Sequence, residues 1–156
     1  MKPEKAFQKM MASCARREYC SWDVKQKLRR FELSTEDVDD IITKLENQKF
    51  IDNERFVKAF VKDKMEFNSW GKTKIRYQLQ MKHISPILIN EALTIIKDDP
   101  YQEKLERILK KKLSQLMPVE DKWAAKTKLI RHAASKGFEP DMIYKTIDSL
   151  MGEIDY

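Results

Sequence analysis

Sliding the 156-residue sequence against itself by 51 positions brings two stretches into register without a gap. Tyr19 meets Trp70, Val24 meets Ile75, Leu28 meets Leu79 and Leu33 meets Ile84. Ser34 then meets Ser85, Val38 meets Ile89, Ile41 meets Ala92, Ile42 meets Leu93 and Leu45 meets Ile96. A second slide, by 54, carries the match onward: Ile75 to Leu129, Leu79 to Ala133, Ile84 to Phe138, Pro86 to Pro140, Ile89 to Ile143, Leu93 to Ile147 and Ile96 to Leu150. Any two amphipathic helices can be slid into phase. A joint match of cap, proline and apolar face over two helices marks a repeated module. Each copy reads as three helices, over residues 1–50, 51–98 and 99–156. A unit of about 50 residues buries only about 60% of its unfolded surface, so neighbouring copies must support one another. The expected fold is an elongated array of three tandem three-helix, helix-turn-helix-like repeats. Its radius of gyration should exceed the roughly 15 Å of a compact globule of this length.

Local signals agree with helices throughout. Glycine occurs only three times, which argues against a β protein built on tight turns. All five prolines (Pro3, Pro86, Pro100, Pro118, Pro140) can be read as helix starts. The chain is therefore read as all-α. Lys5 to Arg17 makes a first helix with Ala6, Met10 and Cys14 on one face. Ser21 is expected to cap the second, and Ser34-Thr35-Glu36-Asp37 resembles a capping box before the third. Asp52 can cap a fourth helix, and Ser69 or Gly71 opens a fifth. Ser85-Pro86 and Asp98-Asp99-Pro100 restart the chain twice more. Met117-Pro118 breaks the long, lysine-rich helix before it. Gly137 is placed to take the left-handed position that ends a helix, and Glu139-Pro140-Asp141 starts the last one. Residues past Met151 are expected to fray.

The chemistry that the sequence lacks narrows the function. There is no phosphate-cradling glycine loop, no G-x-S-x-G and no H-E-x-x-H, so no enzymatic activity is expected. His83 and His132 sit near helix ends, where capping or solvation is the simpler role. Cys14 and Cys20 form neither a disulfide framework nor zinc-ligand spacing. The acidic run Glu36, Asp37, Asp39 and Asp40 reads as favourable charge at a helix start, not a metal site. No cofactor or metal is expected. No apolar run approaches the roughly 20 residues that cross a bilayer, and no export signal is seen, so a cytoplasmic location is expected.

The formal net charge of +6 suits an acidic partner, either nucleic acid or an acidic protein surface. Lys25, Arg29 and Arg30, then Lys72, Lys74 and Arg76, then Lys126, Lys128 and Arg131 fall on equivalent helices of the three copies. Aligned copies would turn them into a basic stripe able to follow phosphates or an acidic protein groove. Trp22, Trp70 and Trp123 could stack on bases, but packing between helices is the simpler reading.

Three passages resemble the RecX family, bacterial regulators of the RecA recombinase. They are Ala15-Arg16-Arg17-Glu18-Tyr19 followed by Val24 and Leu28, Phe50-Ile51-Asp52-Asn53-Glu54-Arg55-Phe56, and Leu129-Ile130-Arg131-His132-Ala133-Ala134-Ser135-Lys136-Gly137-Phe138. The chain departs from the family pattern at Cys20, at Glu66-Phe67 and at Asn68-Ser69-Trp70-Gly71. The resemblance implies a curved stack of three-helix units that works as a monomer. It implies binding in the groove of the recombinase–single-stranded DNA filament and restraint of ATP hydrolysis, strand exchange and co-protease activity. Weak direct DNA binding would accompany this. Arg16 and Arg17 join the nine basic positions above as the expected contacts. A helix-turn-helix DNA-binding regulator and a plain helical interaction scaffold are the competing readings.

Overall fold

The computed structural model describes residues 1–152, and every regular element among them is helical. In order these are α1 (Pro3–Arg16), α2 (Ser21–Leu28) with a 3₁₀ turn at Arg29–Phe31, α3 (Thr35–Asn47), α4 (Asn53–Phe67), α5 (Lys72–Met81), α6 (Pro86–Thr94), α7 (Asp98–Leu116), α8 (Lys122–Lys136) and α9 (Pro140–Gly152). The fold is all-α and built of tandem three-helix modules. The expectation of fraying past Met151 falls mostly outside the described residues.

Many of the apolar columns found by sliding the sequence are buried columns, while Tyr19, Trp70, Leu33, Ile42 and Ile96 are half-buried. Val24, Ile75 and Leu129 are each fully buried, and so are Leu28, Leu79 and Ala133. Val38, Ile89 and Ile143 follow on the third helix of each set. Several caps are also where the sequence puts them. Ser34 accepts the Asp37 N–H at 3.1 Å and Asp52 accepts the Arg55 N–H at 3.0 Å. Gly137 takes the left-handed conformation at φ 92°. The same left-handed bend occurs at Glu32 (φ 49°) and His83 (φ 57°), which the offsets of 51 and 54 place in one column with Gly137.

Three local expectations change. Ser21 is the first residue of α2, not its cap; Cys20 holds that position, and its N–H donates to Asp23 Oδ2 at 3.4 Å. The Ser21 N–H is instead satisfied by Asn53 Oδ1 at 3.0 Å, so a neighbouring helix start replaces the local cap. Pro118 opens no helix, because it lies in the connection between α7 and α8, whose cap is Asp121. Pro100 lies inside the first turn of α7, which begins at Asp98.

The chain divides into two compact units, and the cuts fall within α4, α5 and α6. The first unit comprises Met1–Lys62 with Leu79–Asn90. Its core gathers Ala6, Met10, Val24, Leu28, Ile41 and Leu45. Lys82 ties this unit together: its ammonium lies 2.5 Å from Asp23 Oδ1 and over the rings of Trp22 and Phe56. Next to it His83 stacks on Trp22, with ring centroids 6.3 Å apart. Removing one partner of a fully buried pair costs about 3–5 kcal/mol, but water reaches this pair in part. Lys82→Met is therefore expected to cost about 1–2 kcal/mol in urea unfolding. An unchanged midpoint would show that the pair is only decorative.

The second unit comprises Asp63–Gln78 and the chain from Glu91 onward. Its core is built on α7, α8 and α9 from Leu105, Leu109, Leu129, Phe138, Ile143 and Ile147. Here the start of α5 sits on the end of α8. The Gly71 N–H donates to the Lys136 carbonyl at 2.7 Å, and the Thr73 N–H donates to the Gly137 carbonyl at 3.0 Å. Unpaired donors of one helix thus meet unpaired acceptors of another. A side chain at Gly71 would put its Cβ 2.4 Å from the Gly137 carbonyl oxygen, so glycine is needed for this approach. Beside it Tyr101 accepts the Lys72 N–H at 2.9 Å and donates its hydroxyl to Glu139.

Candidate functional site

A groove lined mainly by cations and free of carboxylates lies in each compact unit. The groove of the first unit, of about 430 Å³, runs between α1 and the α2–3₁₀ segment. Lys9, Ser13 and Arg16 face Lys27, Arg30 and Phe31 across it. The Lys9 ammonium lies 5.7 Å from the centre of the Phe31 ring, and that of Lys27 lies 5.0 Å from the Tyr19 ring. Among the described residues none of Lys9, Arg16, Lys27 and Arg30 forms an ion pair. No carboxylate lines the groove.

The groove of the second unit, of about 460 Å³, lies between α7 and α8. Lys104, Arg107, Lys111 and Lys112 line it from α7, and His132 and Lys136 from α8. Spacings of three and four residues put the α7 cations on one face of that helix. Burial, with Lys112 and Lys136 beside it, holds His132 below the usual imidazole range. Burial and the Arg107 guanidinium also lower Lys104, while Glu66 opposes this. His132 is therefore neutral near pH 7, and the groove gains a further positive charge as the pH falls below that range. Lys27 and His132 are separated by 105 residues, the two repeat offsets combined. The grooves thus occupy the same place in the first and last modules.

The basic positions singled out in the sequence fall into three groups. Arg16 and Arg30 come together in the first groove. Lys25, Lys128 and Arg131 are exposed, and Arg29 is exposed with its Nη1 donating to Gln26 Oε1 at 3.3 Å. Others are held by protein groups. Arg17 lies over Tyr19 at 5.0 Å, and Lys72 over Tyr101 at 4.7 Å. Lys74 lies over Trp70 and donates to the Ser135 carbonyl at 3.2 Å. Lys126 pairs with Asp148 at 3.2 Å, and Arg76 is half-buried. Tyr19 and Trp70, equivalent by repeat, each lie under two cations: Arg17 and Lys27 over the first, Lys64 and Lys74 over the second. Trp123 departs from the packing role expected of the tryptophans, being 76% exposed.

The sequence reading gave no binding role to Lys9, Lys27 or any of the cations in the second groove, and read His132 only as a capping or solvated side chain. Lys104, Arg107 and Lys111 could have been seen as a helical stripe. His132 and Lys136 join them only because α8 packs on α7. Among the described residues no group of three or more histidine, cysteine or carboxylate side chains could hold a metal ion, and no helix is long and apolar enough to cross a membrane.

Family models match the chain in two consecutive blocks. The second three-helix domain of RecX matches residues 52–93, and the third three-helix domain of RecX matches residues 99–147. The regulatory protein RecX of Clostridium botulinum (strain Eklund 17B / Type B) is 36% identical over 110 residues, which is 67% of this chain and 51% of that protein. The chain spans about half the length of the clostridial relatives it matches. The regulatory protein RecX of Prosthecochloris aestuarii is 26% identical over 149 residues, 94% of each chain. The crystal structure of RecX from Lactobacillus salivarius superposes with a TM-score of 0.81 at 21% identity over 96% of both chains, a likeness of fold. The matched blocks cover more than half of the sequence in the order its repeats require, and the chain belongs to the RecX family of regulatory proteins.

Proposed function

We propose that this protein, built as three successive repeats over residues 1–50, 51–98 and 99–156, restrains a RecA-type recombinase filament on single-stranded DNA. It does so by binding, without catalysis of its own. The observation that carries the reading is a cation-lined, carboxylate-free groove in each compact unit of a RecX-family chain. A filament repeats the same acidic and phosphate-bearing surfaces at regular intervals. Several modest contacts on one chain then favour the assembled filament over free subunits. The protein acts in the cytoplasm as a monomer, and ATP hydrolysis, strand exchange and co-protease activity decline together.

The test is recombinase ATP hydrolysis on single-stranded DNA, titrated with this protein. Hydrolysis is expected to fall at amounts well below one protein per recombinase subunit. Arg16→Ala/Arg30→Ala removes two guanidinium contacts, each of about 1.5–3 kcal/mol when made to an anion, and is expected to raise the amount needed by at least about tenfold. Hydrolysis that stays constant at excess protein would end the proposal.

A further inference from the structure

The chain has four asparagines, and three of them are held in ways that protect the side-chain amide. After Asn47, the Gln48 N–H donates to the Lys44 carbonyl at 3.0 Å. Asn53 Oδ1 accepts the Ser21 N–H at 3.0 Å. Asn90 stands inside α6, where the next N–H turns back into the helix. Asn68 differs in each respect. It is exposed just past the end of α4, and its side-chain amide bonds to no other group among the described residues. The N–H of Ser69, a small residue, finds no acceptor there either.

The surroundings act on the same peptide group. The Asn68 carbonyl accepts from the Lys136 ammonium at 3.3 Å. That carbonyl and the Ser69 N–H belong to one amide. When the nitrogen loses its proton, resonance spreads the charge onto the oxygen that Lys136 holds. Ser69 also lines the trough between α7 and α8 together with Lys104, Arg107, Lys111 and Lys112, and a positive field favours the same negative form. Finally, Ser69 sits at φ 54°, a left-handed shape that is unfavourable for a residue with a side chain, so the turn has strain to release.

We propose that the Asn68–Ser69 peptide is a self-modification site, at which the chain converts Asn68 to aspartate and isoaspartate without an enzyme. The Ser69 nitrogen gives its proton to water or hydroxide and attacks Asn68 Cγ. The new N–Cγ bond closes a cyclic succinimide as the Cγ–Nδ2 bond breaks, and Nδ2 leaves as ammonia after taking a proton from water. Water then opens the ring. Attack at Cγ gives aspartate; attack at the main-chain carbonyl leaves the Ser69 nitrogen on Cγ, which is isoaspartate. One water is consumed and one ammonia released, with no change of oxidation state. Either product puts a carboxylate on the residue whose carbonyl Lys136 holds, beside a trough that has none.

The test is incubation of the full chain in mildly alkaline buffer, followed by peptide mapping in a mass spectrometer. The gain in mass as amide becomes carboxyl marks the converted residue. Asn68 is expected to convert at least about tenfold faster than Asn47, Asn53 or Asn90. Lys136→Met removes the ammonium and keeps the stem, and is expected to slow Asn68 about fivefold. Lys136→Arg, which still donates, should stay within about twofold of the parent, and so should Lys112→Met, which takes the same charge from the trough without touching Asn68. In unfolding concentrations of urea the parent and Lys136→Met are expected to convert alike, because the contact is then gone. The assignment is overturned if Asn68 of the folded chain stays intact while the unfolded chain converts, if another asparagine leads in the folded chain, or if Lys136→Met is no slower than Lys112→Met.

Discussion

Gly137→Ala is expected to destabilise the second unit by about 3 kcal/mol or more, lowering its melting temperature by about 10 °C or more. Two costs combine. The residue sits at φ 92°, a backbone shape that costs a residue with a side chain roughly 1–2 kcal/mol. The new methyl would also fall 2.2 Å from Lys74 Cβ and 2.6 Å from the Lys74 nitrogen. The nitrogen belongs to the backbone of α5 and cannot swing aside, so the helix start must move. Such overpacking costs about 1–3 kcal/mol by itself. Gly71→Ala lacks the first cost and should fall below Gly137→Ala. The comparison is made by thermal melting followed by circular dichroism. A melting temperature for Gly137→Ala within about 2 °C of the parent would show that the junction of α5 with α8 yields easily.

The other large effect is expected from the cores. Leu28 and Leu129 are fully buried, one in each unit. Truncation to alanine removes methyl groups and leaves a cavity that close-packed neighbours cannot fill, at a cost of about 2–5 kcal/mol. Leu28→Ala and Leu129→Ala are each expected to lose that much in urea unfolding, while Leu129→Met, which keeps the volume, should lose less than about 1.5 kcal/mol. A loss below about 1 kcal/mol for either alanine variant would mean that its column does not sit in a true core.

Much of the fold could be read from the sequence because it is written three times. A single stripe such as Val24 and Leu28 is weak information. The same stripe at Ile75 and Leu79, with Ser34 and Ser85 in step, fixes which face is buried and where the next helix starts. What escaped was set by contacts between distant residues. Ser21 loses its capping role because Asn53 satisfies its N–H from another helix. Pro118 resembles the prolines that open helices, yet Asp121 supplies the cap beyond it.

The basic positions were harder to rank than the apolar ones. A buried leucine is recognised by its neighbours along the helix. Whether a lysine is open to a ligand depends on what its ammonium reaches several bonds away. Lys72, Lys74 and Lys126 recur in the expected column but reach Tyr101, Trp70 and Asp148 within the protein. The cations that gather in open troughs lie where two helices face each other, and no periodicity along one strand of sequence reports that.

The left-handed column at Glu32, His83 and Gly137 carries a last implication. Only the third copy uses the residue for which that bend is effortless. The other two copies make the same bend without it, so contacts beyond the residue itself hold the turn there. Glu32 is therefore a reserve of untapped robustness, whereas glycine at His83 would forfeit the ring contact with Trp22. A designer could draw on Glu32 to harden the scaffold while leaving both cation-lined troughs untouched.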